Sequence, residues 1–204
     1  ILTGFECCLF ALLLGLNHRQ QPVTLFFIGF LICHTLISLH ELTFWGKQFR
    51  IWVLDISPNM FFIGSYSYFL DGPLLYFFVR SLLYKDFRLR RLDAIHLVPF
   101  ILYFLLLIIV FYRLDHAIRH QLIETQHIAY SSPYLYFDFI SKVLRVGYVI
   151  ACLILLRNYG ERLKDIFANA HDGDLSWLKV MTTSVLLLFC WDALLLTLKL
   201  DGLL

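Results

Sequence analysis

Residues 69–100 read FLDGPLLYFFVRSLLYKDFRLRRLDAIHLVPF. An apolar run long enough to cross a bilayer here carries an acid, a glycine and a proline, Asp71-Gly72-Pro73, and then meets a cluster of lysine and arginine at 85–91. The rest of the chain decides what solvent such a run belongs to. Of 204 residues, 60% are hydrophobic, 17% aromatic and only 16% charged, with a mean hydropathy of +0.74. That balance is too apolar for a soluble domain and places the chain in a membrane. A formal net charge of +2 leaves no basic excess for nucleic acid along the whole chain, so any basic function has to come from local clusters.

A helix needs about 20 apolar residues to cross roughly 30 Å of hydrocarbon. Windows of that length place six spans, at 1–16, 23–45, 58–82, 95–113, 133–156 and 177–199. The expected fold is therefore an all-α membrane protein, a polytopic helix bundle with six spans of an expected seven. Pro22, Pro58 and Pro133 stand at or just before the starts of three spans, where a missing N–H costs nothing, whereas Pro73 and Pro99 lie within runs and are expected to kink or open the helix. Gly72, beside Pro73, lets another backbone approach. No linker, low-complexity tract or repeat divides the chain, so 1–204 reads as one transmembrane domain. The chain starts at Ile1, and its first run meets Asn17-His18-Arg19-Gln20, which reads as a clipped span and not a signal peptide; a cut is also expected after Leu204. Cys7, Cys8, Cys33, Cys152 and Cys190 all fall in apolar runs and read as packing residues.

Lysine and arginine in the short loops set the orientation. Alternate connections hold Arg19, Arg80, Lys85, Arg88, Arg90, Arg91, Arg157, Arg162 and Lys164 on one side, against Lys47, Arg50, Arg113 and Arg119 on the other. The richer side is cytoplasmic, which puts the N-terminus outside and sends the sixth span outward. Trp45, Trp52, Tyr112 and Tyr134 then belong to the outer aromatic belt, and Tyr84, Tyr159 and Trp177 to the inner one. The passage Lys85 to Leu92 alternates charge with apolar residues, so Lys85, Arg88, Arg90 and Arg91 are expected on anionic headgroups, each cation contributing about 1 kcal/mol. A plain topology signal accounts for the same residues.

Ionisable groups also occur inside the runs, where an unpaired one costs on the order of 2.5–3.5 kcal/mol. Asp71 lies thirteen residues after Pro58, and Arg145 twelve after Pro133 on a span of the same direction. At a rise of about 1.5 Å per residue the two fall at nearly equal depth and should pair. Lys142 should pair with Asp192 or Asp138. Asp138, Lys142 and Arg145 stand at i, i+4 and i+7, hence on one helix face that must point inward. This face is either a structural clamp between helices or a polar cavity in which a charge meets a ligand.

One outer connection reads DHAIRHQLIETQH. If helical, it brings His116, His120, Glu124 and His127 to one face at i, i+4, i+8 and i+11, a spacing that permits a metal ion but does not require one. Solvated histidines on an interfacial helix fit equally well, so no metal and no cofactor is expected. No nucleophile elbow, phosphate loop, zincin motif or dinucleotide fingerprint occurs.

Two passages carry a family resemblance. GPLLYFFVRSLLYKDFRLRRLDAIHLVPF at 72–100 and ILLRNYGERLKDIFANAHDGDLSWLKVM at 154–181 resemble the membrane-embedded sensory domains of bacterial AraC-type transcription regulators. The shared features are a Gly-Pro, a Leu-Tyr-rich span, a basic inner loop and His-x-x-Pro in the first, and a basic stretch leading to Leu-x-Trp-Leu in the second. Phe167-Ala168 departs from the family's Phe-Ser. The resemblance implies about seven spans, a bacterial inner-membrane location, and a cytoplasmic helix-turn-helix domain after Leu204. DNA would then be a partner only through that domain, and a homodimer follows by analogy. The function so implied is a signal-input module, passing a small-molecule, lipid or membrane-state signal to DNA-binding machinery. An intramembrane metal-dependent hydrolase and a small transporter are the alternatives from other classes.

Overall fold

The computed structural model describes residues 2–17, 22–84, 86–166 and 176–200. Its elements are all helical: α1 (Leu2–Asn17), α2 (Pro22–Trp45), α3 (Lys47–Ile56), α4 (Asp71–Leu83), α5 (Val98–Leu107), α6 (His116–Glu124), α7 (Ser132–Ile166) and α8 (Ser176–Leu200), joined by short 3₁₀ and π turns. Four stretches are long and apolar enough to cross a membrane, Val23–Trp45, Arg91–Tyr112, Ser132–Arg162 and Ser176–Leu198, with Leu2–Leu16 as a shorter apolar helix. The chain is thus an all-α membrane protein. In the bundle α1 packs on α2, α2 on α4, α4 on α7 and α7 on α8. Many large apolar side chains on the outer faces, such as Leu13, Leu105 and Leu188, are exposed, as a surface covered by lipid requires.

The expected span at 58–82 is not one helix. It runs as 3₁₀ turns at Pro58–Met60 and Gly64–Phe69 and becomes α-helical only at α4. At about 1.5 Å per residue, the thirteen residues of α4 reach roughly 20 Å, short of the hydrocarbon thickness. Irregular backbone at membrane depth survives only where protein covers it. Here it is covered, since Phe62, Gly64, Ser65, Ser67, Tyr68 and Phe69 are all buried.

Pro73 does not kink a helix. It lies in the first turn of α4, where its missing N–H breaks no intrahelical bond, and the helix starts at Asp71. What approaches Gly72 is a side chain and not the expected backbone: a Cβ there would lie 2.7 Å from Tyr148 Cδ2 of α7. Pro99 likewise sits at the start of α5, where the 3₁₀ turn Arg91–Leu97 passes into α-helix. The expected kinks are helix starts.

The stretch after Trp45, counted as loop on sequence, forms amphipathic α3 with Arg50, Val53 and Leu54 buried. Arg50 Nη1 donates to the Phe44 carbonyl at 2.7 Å, and Gln126 Nε2 donates to the same oxygen at 2.8 Å. Two side chains thereby converge on one carbonyl in the last turn of α2, where helix ends leave acceptors to be satisfied. Gln126 itself has φ 56°, a left-handed conformation. Arg50→Leu is expected to lower stability by about 1.5 kcal/mol, the low end for a hydrogen bond from a charged group, because Gln126 still holds the oxygen. Gln126→Gly should be nearly neutral, since glycine relieves the positive φ while the bond is lost. Thermal unfolding in detergent separates the two.

Two apolar clusters form the core. One gathers Phe44, Phe61, Phe62, Phe69, Tyr103, Phe111 and their neighbours. The other gathers Phe30, Leu75, Phe78, Val79, Val149, Leu156 and Leu178. Along α7, Leu144 belongs with the first and Val149 with the second. Arg145 stands between them.

Candidate functional site

The site begins at the break before α4. Asp71, the first residue of that helix, is fully buried, and its Oδ1 accepts the Gly72 N–H at 2.7 Å. Its Oδ2 accepts from Arg145 Nε at 2.8 Å, so the pair expected from equal depth is present. Arg145 continues the chain, donating through Nη1 to Asp192 Oδ2 of α8 at 2.6 Å. Lys142 Nζ reaches the same Asp192 oxygen at 2.8 Å and Asp138 Oδ1 at 3.6 Å. The i, i+4, i+7 face of α7 therefore points into the bundle, with Lys142 and Arg145 both buried.

Aromatic rings floor this network. The Arg145 guanidinium lies 3.9 Å from the Phe189 ring centroid and 5.2 Å from that of Tyr68, and Lys142 Nζ lies 4.6 Å from Tyr68. Cations over ring faces in a desolvated setting each contribute about 2 kcal/mol. Removing a cation would forfeit those contacts and strand a carboxylate. Removing both charges of a pair also loses the ring contacts but strands no carboxylate.

Beyond Lys142 the network opens into a cavity of about 150 Å³, lined by His40, Glu41, Trp45, Tyr68, Tyr134, Asp138, Lys142 and Asp192 among others. It lies where α2 and α8 end and α7 begins. Glu41 was missed on sequence. Its Oε2 accepts from Trp45 Nε1 at 2.7 Å and its Oε1 from the Tyr68 hydroxyl. An acid inside an apolar run, four residues before a tryptophan, is the kind of signal that marked Asp71 and would have found it. His40 is fixed elsewhere, with Nδ1 donating to the Phe61 carbonyl at 3.1 Å. Tyr68 had no signal of its own among eleven tyrosines.

The outer histidines do not assemble as one face. α6 ends at Glu124, the left-handed Gln126 turns the chain, and His127 begins a separate 3₁₀ turn. His120 and Glu124 stay 3.6 Å apart as an i, i+4 pair, but His127 lies beyond the end of the helix that carries His116. Among the described residues no three His, Cys, Asp or Glu side chains converge to hold a metal ion. On the opposite side of the bundle, Arg88, Arg90 and Arg91 are exposed next to exposed Leu89, Leu92 and Ile95, and Arg80 pairs with Asp93 at 3.2 Å. Lys85, Arg19 and residues 167–175 lie outside the described residues. No family model, curated protein or solved structure matches this chain.

Proposed function

We propose that this chain is the transmembrane signal-input module of a bacterial membrane-bound transcription regulator of the AraC type, with its N-terminus outside and a seventh span leading to a cytoplasmic helix-turn-helix domain. The observation that supports it is the position of Asp192. This carboxylate lines the cavity, with its side chain about one-third exposed, and also holds the guanidinium that neutralises fully buried Asp71. A change at the cavity wall therefore changes the partner of the charge at the start of α4, and α4 leads to the basic passage at 85–91. A two-state element must be biased by contacts that differ between its states. In one state Asp192 binds Arg145 and Lys142 together; in the other Arg145 keeps Asp71 alone and Lys142 keeps Asp138.

A small transporter is favoured by one observation, the broken segment beside a buried charge, since transporters place binding sites at discontinuous helices. The coding sequence after Leu204 separates the readings. A seventh apolar span followed by a basic helix-turn-helix pattern is expected, and an in-frame stop overturns the regulator. Orientation has its own test in single-cysteine variants on a background without the native cysteines. Membrane-impermeant labelling of whole spheroplasts should reach residues 114–124 and spare 88–93; the reverse pattern would invert the proposed topology.

A further inference from the structure

We propose that the cavity binds a small organic cation, an ammonium group on a short apolar body, with Glu41 as its counter-ion and Trp45, Tyr68 and Tyr134 as aromatic walls. The proposal deepens the signal-input reading and rests on it for what binding would report. It starts from charge. The cavity wall carries the carboxylates of Glu41, Asp138 and Asp192 against the single ammonium of Lys142. Behind the wall Arg145 is matched by Asp71, so the whole set has four carboxylates and two cations. In a partly desolvated cavity an excess of carboxylates favours a bound cation.

Glu41 is where the deficit falls. Lys142 and Arg145 serve Asp71, Asp138 and Asp192. The contacts that hold the Glu41 carboxylate are both neutral, the Trp45 N–H and the Tyr68 O–H.

The class of cation follows from the wall. Lys142 already displays how this wall treats an ammonium ion: Nζ sits 2.8 Å from Asp192, 3.6 Å from Asp138 and 4.6 Å from the Tyr68 ring centroid. Carboxylates combined with ring faces are the chemistry that recognises amines and quaternary ammonium groups. A hard divalent ion asks instead for several converging oxygen ligands, and among the described residues no such set of three acidic or histidine side chains converges. A volume of about 150 Å³ holds the equivalent of about five waters, which limits the body to a few carbons. Trp45, the last residue of α2, is 61% exposed, so it stands at the mouth.

The test is calorimetric titration of the chain in detergent at constant ionic strength with tetramethylammonium chloride and n-butylammonium chloride. The neutral tert-butanol and magnesium chloride serve as controls. Saturable binding of the ammonium probes is expected, with none of tert-butanol. Glu41→Gln should weaken it at least tenfold, the loss of one charge-assisted contact, and Trp45→Leu about fivefold, the loss of one ring face. Trp45 is exposed, so its variant carries the test if Glu41→Gln fails to fold. No saturable binding by folded wild type overturns the proposal, as do equal binding of tert-butanol or magnesium and unchanged affinity in either folded variant. A melting temperature that follows pH through Glu41 without ammonium binding assigns the deficit to protons and overturns it too. Binding without any transcript response from the whole protein keeps the site and sinks the signalling reading; a response to another stimulus without binding does the converse.

Discussion

Replacing Arg145 with leucine is expected to destabilise the bundle by about 3–5 kcal/mol, the range for removing one partner of a buried ion pair. The size follows from what Arg145 holds: Asp71, which has no exposure to solvent, and Asp192, together with the Phe189 and Tyr68 rings. Without the guanidinium, Asp71 keeps only the Gly72 N–H. Asp71→Leu should cost less, because Arg145 retains Asp192 as a partner. The double variant Asp71→Leu with Arg145→Leu should be more stable than Arg145→Leu alone, since both desolvated charges leave together and Lys142 still serves Asp192. Denaturant unfolding in detergent measures all three; equal stability of Arg145→Leu and wild type would mean that the guanidinium reaches water or headgroups.

Gly64→Ala is the second large effect, about 3 kcal/mol or more, at or beyond the upper end of ordinary overpacking. A Cβ at Gly64 would lie 2.3 Å from the Leu36 carbonyl oxygen and 2.7 Å from His40 Cβ, both on α2. Neither can swing away as a side-chain tip can, so α2 and the 3₁₀ stretch Gly64–Phe69 have to separate. The separation also pulls Tyr68 from Glu41. Gly147→Ala on α7 is the matched control, because a Cβ there meets nothing within 4 Å. It should stabilise by roughly 0.5–1 kcal/mol as alanine replaces glycine inside a helix. Thermal unfolding of both variants tests the contrast, and a harmless Gly64→Ala would contradict the close packing of the broken segment on α2.

The legible part of this molecule was what a bilayer dictates. Apolar length marked α2, α5, α7 and α8, and the cost of a buried charge forced Asp138, Lys142 and Arg145 to one inward face. Equal depth then found the partner of Arg145. The illegible part was local backbone geometry. Residues 58–82 are apolar enough for a helix, and nothing in their composition separates a 3₁₀ path from an α-helical one, because the difference lies in how tightly Gly64 and Gly72 seat against α2 and α7. The histidine face failed for a similar reason. Its period assumed an unbroken helix, and Gln126 adopts a positive φ that residue type alone does not announce. Glu41 was legible and was overlooked; Tyr68 matters through its place between two helices, which no spacing rule conveys.

The most direct test of the central claim, that the Asp71, Arg145 and Asp192 chain of charges is the switch, joins stability to output in the whole protein. Transcript profiles of cells expressing wild type or the Asp71→Leu, Arg145→Leu double variant would be compared across growth conditions, with the abundance of membrane-inserted protein measured alongside. The account predicts a double variant that accumulates as wild type does yet holds the controlled transcripts at one fixed level. A stable double variant with the wild-type response would contradict it and leave the charges as a clamp between helices.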